Sequence, residues 1–299
     1  AGGSIGGELC RQVAAFNCGR LILIDNSETA LFEIEREVRS TWPNLPVTAV
    51  LCDVRNGARV TEIFRREKPD LVFCSVSAYG QTGPRSKDGG FDMTVQAMSG
   101  VMTVTGEPGG RPVKCGIPIA DFSAGLYAAL TVLAGLMSVK AGRPGNHYDV
   151  SMLGAMLGIS NLQTSELFAT GQNPRPLGSA HPMNAPYAAF RCKDGYVAVA
   201  AGTDKLWQSA CAGIGREDLC ADPRFTTTAL RAKNQDELRD LLEVEFAKYE
   251  AATLLKIFNE RGVPCAPLNN YSQVLGDAQV SHMDWVKDVT YPNGVKTLS

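Results

Sequence analysis

Asp121 is the residue whose type and position could support covalent chemistry. The apolar run G-I-P-I-A at 116–120 ends at this aspartate, and Ala- and Leu-rich residues at helical spacing follow as far as Gly142. The aspartate has two interpretations. It caps the helix by accepting a hydrogen bond from a first-turn amide. Alternatively, because a helix N-terminus favours an ionised carboxylate, it acts as a nucleophile.

The spacing of the cysteines and histidines predicts neither a metal site nor a disulfide. The nine cysteines are scattered without a C-x-x-C pair, and the three histidines show no ligand spacing. We therefore predict reduced thiols buried in a cytoplasmic protein, and no metal site.

The composition excludes several classes of partner. A chain of 299 residues is long enough for two domains, and a formal net charge of -2 gives no basic surface for nucleic acid or a membrane. The sequence shows neither a signal peptide nor an uninterrupted apolar run of about 18 residues, the length that a membrane span needs. The most apolar stretch, 124–139, is predicted to be a buried helix.

Alternating strands and helices precede Asp121. Apolar strands at 21–25, 47–53 and 70–75 are separated by amphipathic helices at 27–40 and 56–67. This order predicts an α/β fold with a Rossmann-like parallel sheet and flanking helices. The chain begins inside a glycine-rich turn, so we expect the first strand of that sheet to be missing.

A smaller α+β domain is predicted to follow. Residues 189–201 read as a hairpin that turns at Asp194-Gly195, and 234–248 and 250–261 have helical periodicity. The segment 151–170 is predicted to be one apolar helix. The predicted boundaries are a nucleotide-binding segment at 1–72, the rest of the large domain at 73–170, a Pro- and Gly-rich linker at 171–187 and the small domain at 188–299.

Most of the chain resembles a known enzyme family. The matching segments are S-V-S-A-Y-G-Q-T-G-P at 75–84, G-F-D-M-T-V-Q-A-M-S-G at 90–100, T-G-E-P-G-G-R-P-V at 105–113, G-I-P-I-A-D at 116–121 and Y-D-V-S-M at 148–152. Together they resemble the family III CoA-transferases, also called CaiB/BaiF, over residues 72–299. The resemblance implies that Asp121 is the nucleophile that moves CoA between an acyl-CoA and a carboxylic acid through an aspartyl intermediate. It also implies that Ser77, Tyr79 and Gly80 contact the CoA or the acyl group.

A sister branch, the α-methylacyl-CoA racemases, is disfavoured. That branch shares the aspartate but has a histidine base before a sequence of the type F/H-D-I-N-Y, whereas this chain reads G-F-D-M at 90–93. No histidine occurs from residue 1 to residue 146. The sequence therefore favours a transferase over a proton-abstracting racemase.

The first 72 residues resemble a different family. G-G-S-I-G-G-E-L-C-R-Q, L-I-L-I-D-N-S-E and C-D-V-R-N are similar to nucleotide-sugar dehydratases and epimerases of the polysaccharide-biosynthesis branch. The resemblance implies an NAD(P) site in which the backbone of a glycine turn approaches the pyrophosphate. The implied cofactor-binding residues are Gly3, Ser4, Ile5 and Gly6 in the turn, Asp25 at the ribose and Asp53 beside the adenine. No Tyr-x-x-x-Lys dyad follows, so this part does not imply an oxidoreductase.

The two resemblances meet in P-D-L-V-F at 69–73, and the chain reads as a hybrid. A natural fusion, an engineered chimera and an error of sequence assembly would all give this pattern. The CoA-transferase family implies a homodimer of threaded chains, whose closure needs a C-terminal segment that lies beyond this sequence. With a foreign sheet as well, we expect a poorly stable monomer or a soluble aggregate.

Overall fold

The computed structural model describes residues 1–16, 18–67, 70–290 and 296–298. The chain divides into two compact units. Unit 1 comprises residues 1–102 and 114–173, and unit 2 comprises residues 103–113 and 174–299. Asp121 lies in unit 1.

Unit 1 contains helices and two short parallel sheets. Its elements in chain order are α1 (Ser4–Ala15), β1 (Leu21–Asp25), α2 (Glu28–Thr41), β2 (Val47–Leu51), α3 (Gly57–Glu67), β3 (Phe73–Ser77), α4 (Asp92–Met98), α5 (Val101–Val104, which extends into unit 2), α6 (Ile119–Lys140), β4 (His147–Ser151), α7 (Met152–Ile159) and α8 (Asn161–Thr170). The predicted strands and helices before residue 75 are therefore present, with small shifts at their ends.

The first part of unit 1 packs on β1 and β2. These strands pair in parallel, with Leu21 opposite Val47. The helix α2 begins at an N-cap, Ser27, whose side chain accepts a hydrogen bond from the Ala30 amide. Its apolar stripe then packs with α1 and the strands in one cluster of buried residues.

The predicted Rossmann-like sheet is not continuous among the described residues. The strand β1 pairs with β2, and β3 pairs in parallel with β4, so two two-stranded sheets form. Between them lies a groove of about 870 Å³, lined by apolar side chains of α1, β1, α3 and β3. The α3 side chain Phe64 contacts Phe73 of β3, with ring centroids 4.5 Å apart. Thus α3 touches both sheets although the strands themselves do not join.

The helix α6 packs against β3 and β4 through one small residue. Gly135 is buried, and a Cβ atom there would lie 2.8 Å from both Tyr148 and Val72. Only a glycine allows the helix to come this close to the strands. The N-terminal half of α6 packs instead on α4 and α7, where Ala120, Ala124 and Met156 are buried together.

The prediction that 124–139 is buried is wrong. The helix Ile119–Lys140 is long and apolar enough to cross a membrane by length and composition, with a mean hydropathy of 1.7 over its most apolar window. Only 17% of that window is buried. Apolar side chains occur on every side of this helix, but the neighbouring elements of unit 1 cover only one of its faces. The other apolar side chains are therefore exposed.

Unit 2 is built around an antiparallel sheet covered by helices. Its further elements are β5 (Tyr187–Cys192), β6 (Gly195–Ala200), α9 (Asp204–Ile214), α10 (Asp218–Ala221), α11 (Thr228–Lys233), α12 (Gln235–Phe246), α13 (Ala251–Glu260), β7 (Cys265–Pro267), α14 (Tyr271–Leu275), α15 (Ala278–His282), β8 (Asp288–Thr290) and β9 (Lys296–Leu298). The strands β5, β6 and β7 form one sheet in that order. This agrees with the prediction of an α+β arrangement.

Two details of the predicted elements need correction. The hairpin pairs Cys192 with Gly195, so its turn residues are Lys193 and Asp194 rather than Asp194-Gly195. The segment predicted as one helix at 151–170 is two helices, because Ser160 leaves helical geometry between them. The Ser160 hydroxyl donates to the Met156 carbonyl, which is a local bond that competes with the helical pattern.

The core of unit 2 is centred on Trp207, Phe225, Phe246 and Phe258. A fully buried guanidinium, that of Arg231, crosses it. Its donors reach the carbonyls of Ala185, Phe225 and Gly202 and the carboxylate of Asp204. Such full pairing is what makes a buried charge tolerable.

Candidate active site

Asp121 is the third residue of α6. The helix starts after Pro118, which stands at the N-cap position and provides no side-chain hydrogen bond. The N-cap interpretation of Asp121 is therefore wrong, since Asp121 lies inside the first turn. Its side chain is exposed, and no described residue donates a hydrogen bond to its carboxylate. The carboxylate is free to meet a molecule in solution.

The start of α6 is held by two side chains of α4. One oxygen of Asp92, Oδ1, accepts a hydrogen bond of 2.9 Å from the Ala120 amide, directly before Asp121. Its other oxygen, Oδ2, accepts one of 2.7 Å from Gln96 Nε2. The oxygen of the same Gln96 side chain, Oε1, accepts a hydrogen bond of 2.8 Å from the Cys115 backbone amide. We call this series of three bonds the α4 clamp.

The electrostatic environment of Asp121 works against ionisation. Partial burial raises the pKa of its carboxyl, and the negative charge of Asp92 raises it further. The sequence suggested the opposite direction, since a helix N-terminus favours the charged form. No hydrogen bond from a described donor offsets these two effects.

The predicted substrate-binding residues lie in the loop after β3. The Ser77 hydroxyl accepts a hydrogen bond of 2.9 Å from the Gly80 amide. Gly80 has φ +100°, and a Cβ atom there would be 3.3 Å from a carboxylate oxygen of Asp149. Tyr79 packs against the same buried cluster that holds Ala120. The structure thus brings this loop and the start of α6 to one cluster.

The predicted cofactor-binding residues form a separate group in the first part of unit 1. Gly3 stands at the N-cap of α1, and Ser4, Ile5 and Gly6 form its first turn. A Cβ atom on Gly6 would lie 2.9 Å from the Ala1 carbonyl oxygen, so the chain's own backbone fills the space beside this glycine. The cluster around Ala120 includes none of these residues.

Both predicted acidic contacts are already satisfied within the chain. Asp25 accepts hydrogen bonds from the Ala1 ammonium, the Ser27 amide and the Gly2 amide, which lower its pKa to about 2. Asp53 accepts from the Arg55 guanidinium and amide, and its pKa is likewise lowered to about 2. A ribose hydroxyl would have to displace the bonds at Asp25. The Ser27 and Gly2 amides therefore compete with a ribose hydroxyl for Asp25.

Sequence reasoning missed Asp92 and Gln96. Both lie in the segment G-F-D-M-T-V-Q at 90–96, which carries part of a family motif and contains no histidine. Their i, i+4 spacing was the available signal, because residues four apart share one helix face. Among the described residues, no group of three or more His, Cys, Asp or Glu side chains could hold a metal ion.

Curated proteins similar to this chain are CoA-transferases by name. The succinate–glutarate CoA-transferase of Agrobacterium fabrum is 32% identical over 219 residues, which are 73% of this chain and 55% of that protein. The human succinyl-CoA:glutarate CoA-transferase is 33% identical over 75% of this chain and 51% of its own length. The acetyl-CoA:oxalate CoA-transferase of Acetobacter aceti is 35% identical over 67% and 52%. The chain spans about half the length of these relatives.

Solved structures share the fold. A CAIB/BAIF family protein from Brucella suis superposes with a TM-score of 0.66 at 28% identity, covering 98% of this chain and 70% of that one. The M. tuberculosis protein Rv3272 gives a TM-score of 0.68 at 22% identity, covering 99% and 72%, and shows the fold alone.

Two family patterns match the sequence itself. Residues 1–82 match the family described as polysaccharide biosynthesis protein. Residues 60–299 match the family described as CoA-transferase family III, and that range contains Asp121, the α4 clamp and the whole of unit 2 from residue 174 onward. Because this match covers most of the chain and agrees with the relatives above, the chain belongs to CoA-transferase family III.

Proposed function

We propose that this chain transfers CoA between an acyl-CoA and a carboxylic acid, with Asp121 as the covalent nucleophile. The observation that carries the proposal is the position of Asp121, an exposed carboxylate in the first turn of α6 that no described residue hydrogen-bonds. The relatives named above act by name on succinate, glutarate and oxalate, so we infer a dicarboxylic acid as the substrate class.

The reaction follows from the electrophilic thioester carbonyl. An Asp121 oxygen attacks that carbonyl, the C–S bond breaks, and a mixed anhydride forms with release of the CoA thiolate. The thiolate then attacks the Asp121 carbonyl, which gives an aspartyl thioester and frees the first acid as its carboxylate. The acceptor carboxylate reverses the two steps: it attacks the aspartyl thioester, and the thiolate finally takes the new acyl group and regenerates Asp121.

The residues around Asp121 have supporting roles in this mechanism. We propose that Ser77, Tyr79 and Gly80 contact the thioester, since their loop meets the same buried cluster as Ala120. The positive φ of Gly80 lets a backbone amide lie where a side chain would otherwise interfere. All nine cysteines are free thiols, which suits a reducing cytoplasm.

The experiment is chemical trapping. The folded chain is incubated with succinyl-CoA and hydroxylamine, and the modified peptide is identified by mass spectrometry. We expect an aspartyl hydroxamate at Asp121, and no hydroxamate on the Asp121→Ala variant. A well-folded sample that stays unmodified with succinyl-, glutaryl-, oxalyl- and acetyl-CoA would contradict the proposal.

We also propose that the chain is a hybrid, in which residues 1–72 come from the polysaccharide-biosynthesis family. The support is that the two family matches overlap at 60–82, a range that contains β3. An NAD(P)-binding module is the second candidate function, because the match to residues 1–82 favours it.

Titration with NADPH and NAD+ tests the second candidate. We expect no saturable binding in the micromolar range by calorimetry, because Asp25 is engaged by the chain's own amides and Gly6 faces the Ala1 carbonyl. A micromolar dissociation constant that is lost in the Asp25→Ala variant would show that a dinucleotide site exists.

A further inference from the structure

We infer that Asp92 and Gln96 are positioning residues, which fix the place of Asp121 by holding both ends of the segment 115–120, the loop before α6 together with the first two residues of that helix. The inference rests on the proposed function of Asp121 and adds to it the side chains that hold the nucleophile in place.

Gln96 is committed to this loop. Its side chain is fully buried, and its amide has both ends engaged, with Oε1 toward the Cys115 amide and Nε2 toward Asp92. A buried amide without partners carries a large desolvation cost, so the partners of Gln96 are fixed by its burial. The start of the loop is therefore tied to α4.

Asp92 ties the other end of the loop. The first turn of a helix has amides without partners in the helix, and Pro118 at the N-cap has no side chain that could accept from them. Asp92 Oδ1 replaces the missing cap by accepting from the Ala120 amide at 2.9 Å. Because consecutive Cα atoms are held about 3.8 Å apart, a shift of Ala120 is passed on to Asp121.

The pattern of donors and acceptors makes the clamp testable by exchange of its groups. In the Asp92→Asn variant, the side-chain amide at position 92 faces the Gln96 amide. If the two NH2 groups do not face each other, one of them must face the Ala120 or the Cys115 backbone amide, so two donors always meet. In the Gln96→Glu variant two carboxylates face each other. In the double variant, the new amide at position 92 donates to the new carboxylate at position 96, and the Ala120 and Cys115 amides both keep an acceptor.

Two measurements follow each variant. Hydrogen exchange with mass spectrometry reports the protection of the segment 113–121, and the rate of hydroxamate formation from succinyl-CoA reports the placement of Asp121. We expect each single variant to exchange roughly tenfold faster and to be trapped roughly tenfold more slowly, and the double variant to recover most of both. The exposed neighbour Ala97, changed to Ser, serves as the control and should alter neither.

Each outcome has a defined meaning. Single variants that match the wild type, or a double variant no better than the single ones, would overturn the inference. The single variants could instead only lower the thermal midpoint of unfolding, while the folded fraction is trapped at the wild-type rate. That result would show a structural role without positioning of Asp121, and it would also overturn the inference. If the wild type forms no hydroxamate, the proposed function fails, and the exchange data still decide whether the clamp holds the loop.

Discussion

At the scale of single residues, the site depends on how the charge of Asp121 is balanced. Its carboxylate is exposed and receives no hydrogen bond from a described residue, and Asp92 lies close enough to affect it. A nucleophilic carboxylate must be ionised to attack a thioester. The same clamp that holds Asp121 therefore also opposes its ionisation.

The first prediction concerns the pH dependence of trapping. Since burial first and the Asp92 charge second raise the pKa of Asp121, the trapping rate should fall as the pH drops through that raised value. The Asp92→Asn variant removes the neighbouring negative charge, so its midpoint should move to lower pH, even though its maximal rate is also smaller. The measurement is the rate of hydroxamate formation against pH. An unchanged or higher midpoint in the variant would contradict the stated cause.

At the scale of elements, much of unit 1 could be predicted from sequence. Strands β1, β2 and β3 and helices α2 and α3 follow from apolar periodicity bounded by turn residues, which is a local signal. The site was predicted only in part, because Asp121 came from a family motif whereas the clamp depends on contacts between α4 and a distant loop. Periodicity also failed for α6. It indicates which residues are apolar, but it does not indicate which of them the neighbouring helices and strands cover.

The second prediction concerns the contact of α6 with the strands. Changing Gly135 to Ala places a Cβ atom 2.8 Å from Tyr148 and Val72. Overpacking of this kind costs about 1–3 kcal/mol in the free energy of unfolding. The matched control is Gly125→Ala in the same helix, where no atom lies within 4 Å of the new Cβ. The control should stabilise the chain by roughly 0.5–1 kcal/mol through helix propensity.

Urea denaturation followed by circular dichroism measures both glycine variants. Opposite signs for the two substitutions would support the close packing of α6 on β3 and β4. Equal, stabilising effects would contradict the close approach of the helix to the strands at Gly135.

At the scale of the whole molecule, the two units differ in how their cores are built. Unit 2 has one large cluster of buried residues, centred on Trp207, Phe246 and Phe258. Among its described residues, unit 1 has three smaller clusters and the groove between the sheets β1–β2 and β3–β4. Because stability grows with the apolar area removed from water, unit 2 should be the more stable of the two.

The third prediction is that unit 1 opens first. In limited proteolysis we expect early cleavage within residues 1–170 and survival of a fragment that contains 174–267, which carries the buried cluster of unit 2. Hydrogen exchange on the intact chain provides a second measurement, with slower exchange in β5 and β6 than in β1 and β2. Simultaneous loss of both units at every protease concentration would contradict the order.

The last prediction concerns association of the chain through α6. Leu126, Leu130, Leu133 and Met137 are spaced to lie on one face of the helix, and all four are more than half exposed, from 58% to 73%. A continuous apolar stripe of this kind favours association.

Size exclusion with light scattering should show soluble aggregates, with a broad thermal transition rather than the sharp one of a stable dimer. Changing Leu126 and Leu130 to Lys should shift the chain toward the monomer without lowering its helix content. The matched control is a pair of lysines four residues apart in α2, at the exposed positions Thr29 and Glu33, which should leave association unchanged. A single dimer peak with a sharp, high-temperature transition would refute the prediction, and it would indicate that a second copy covers α6.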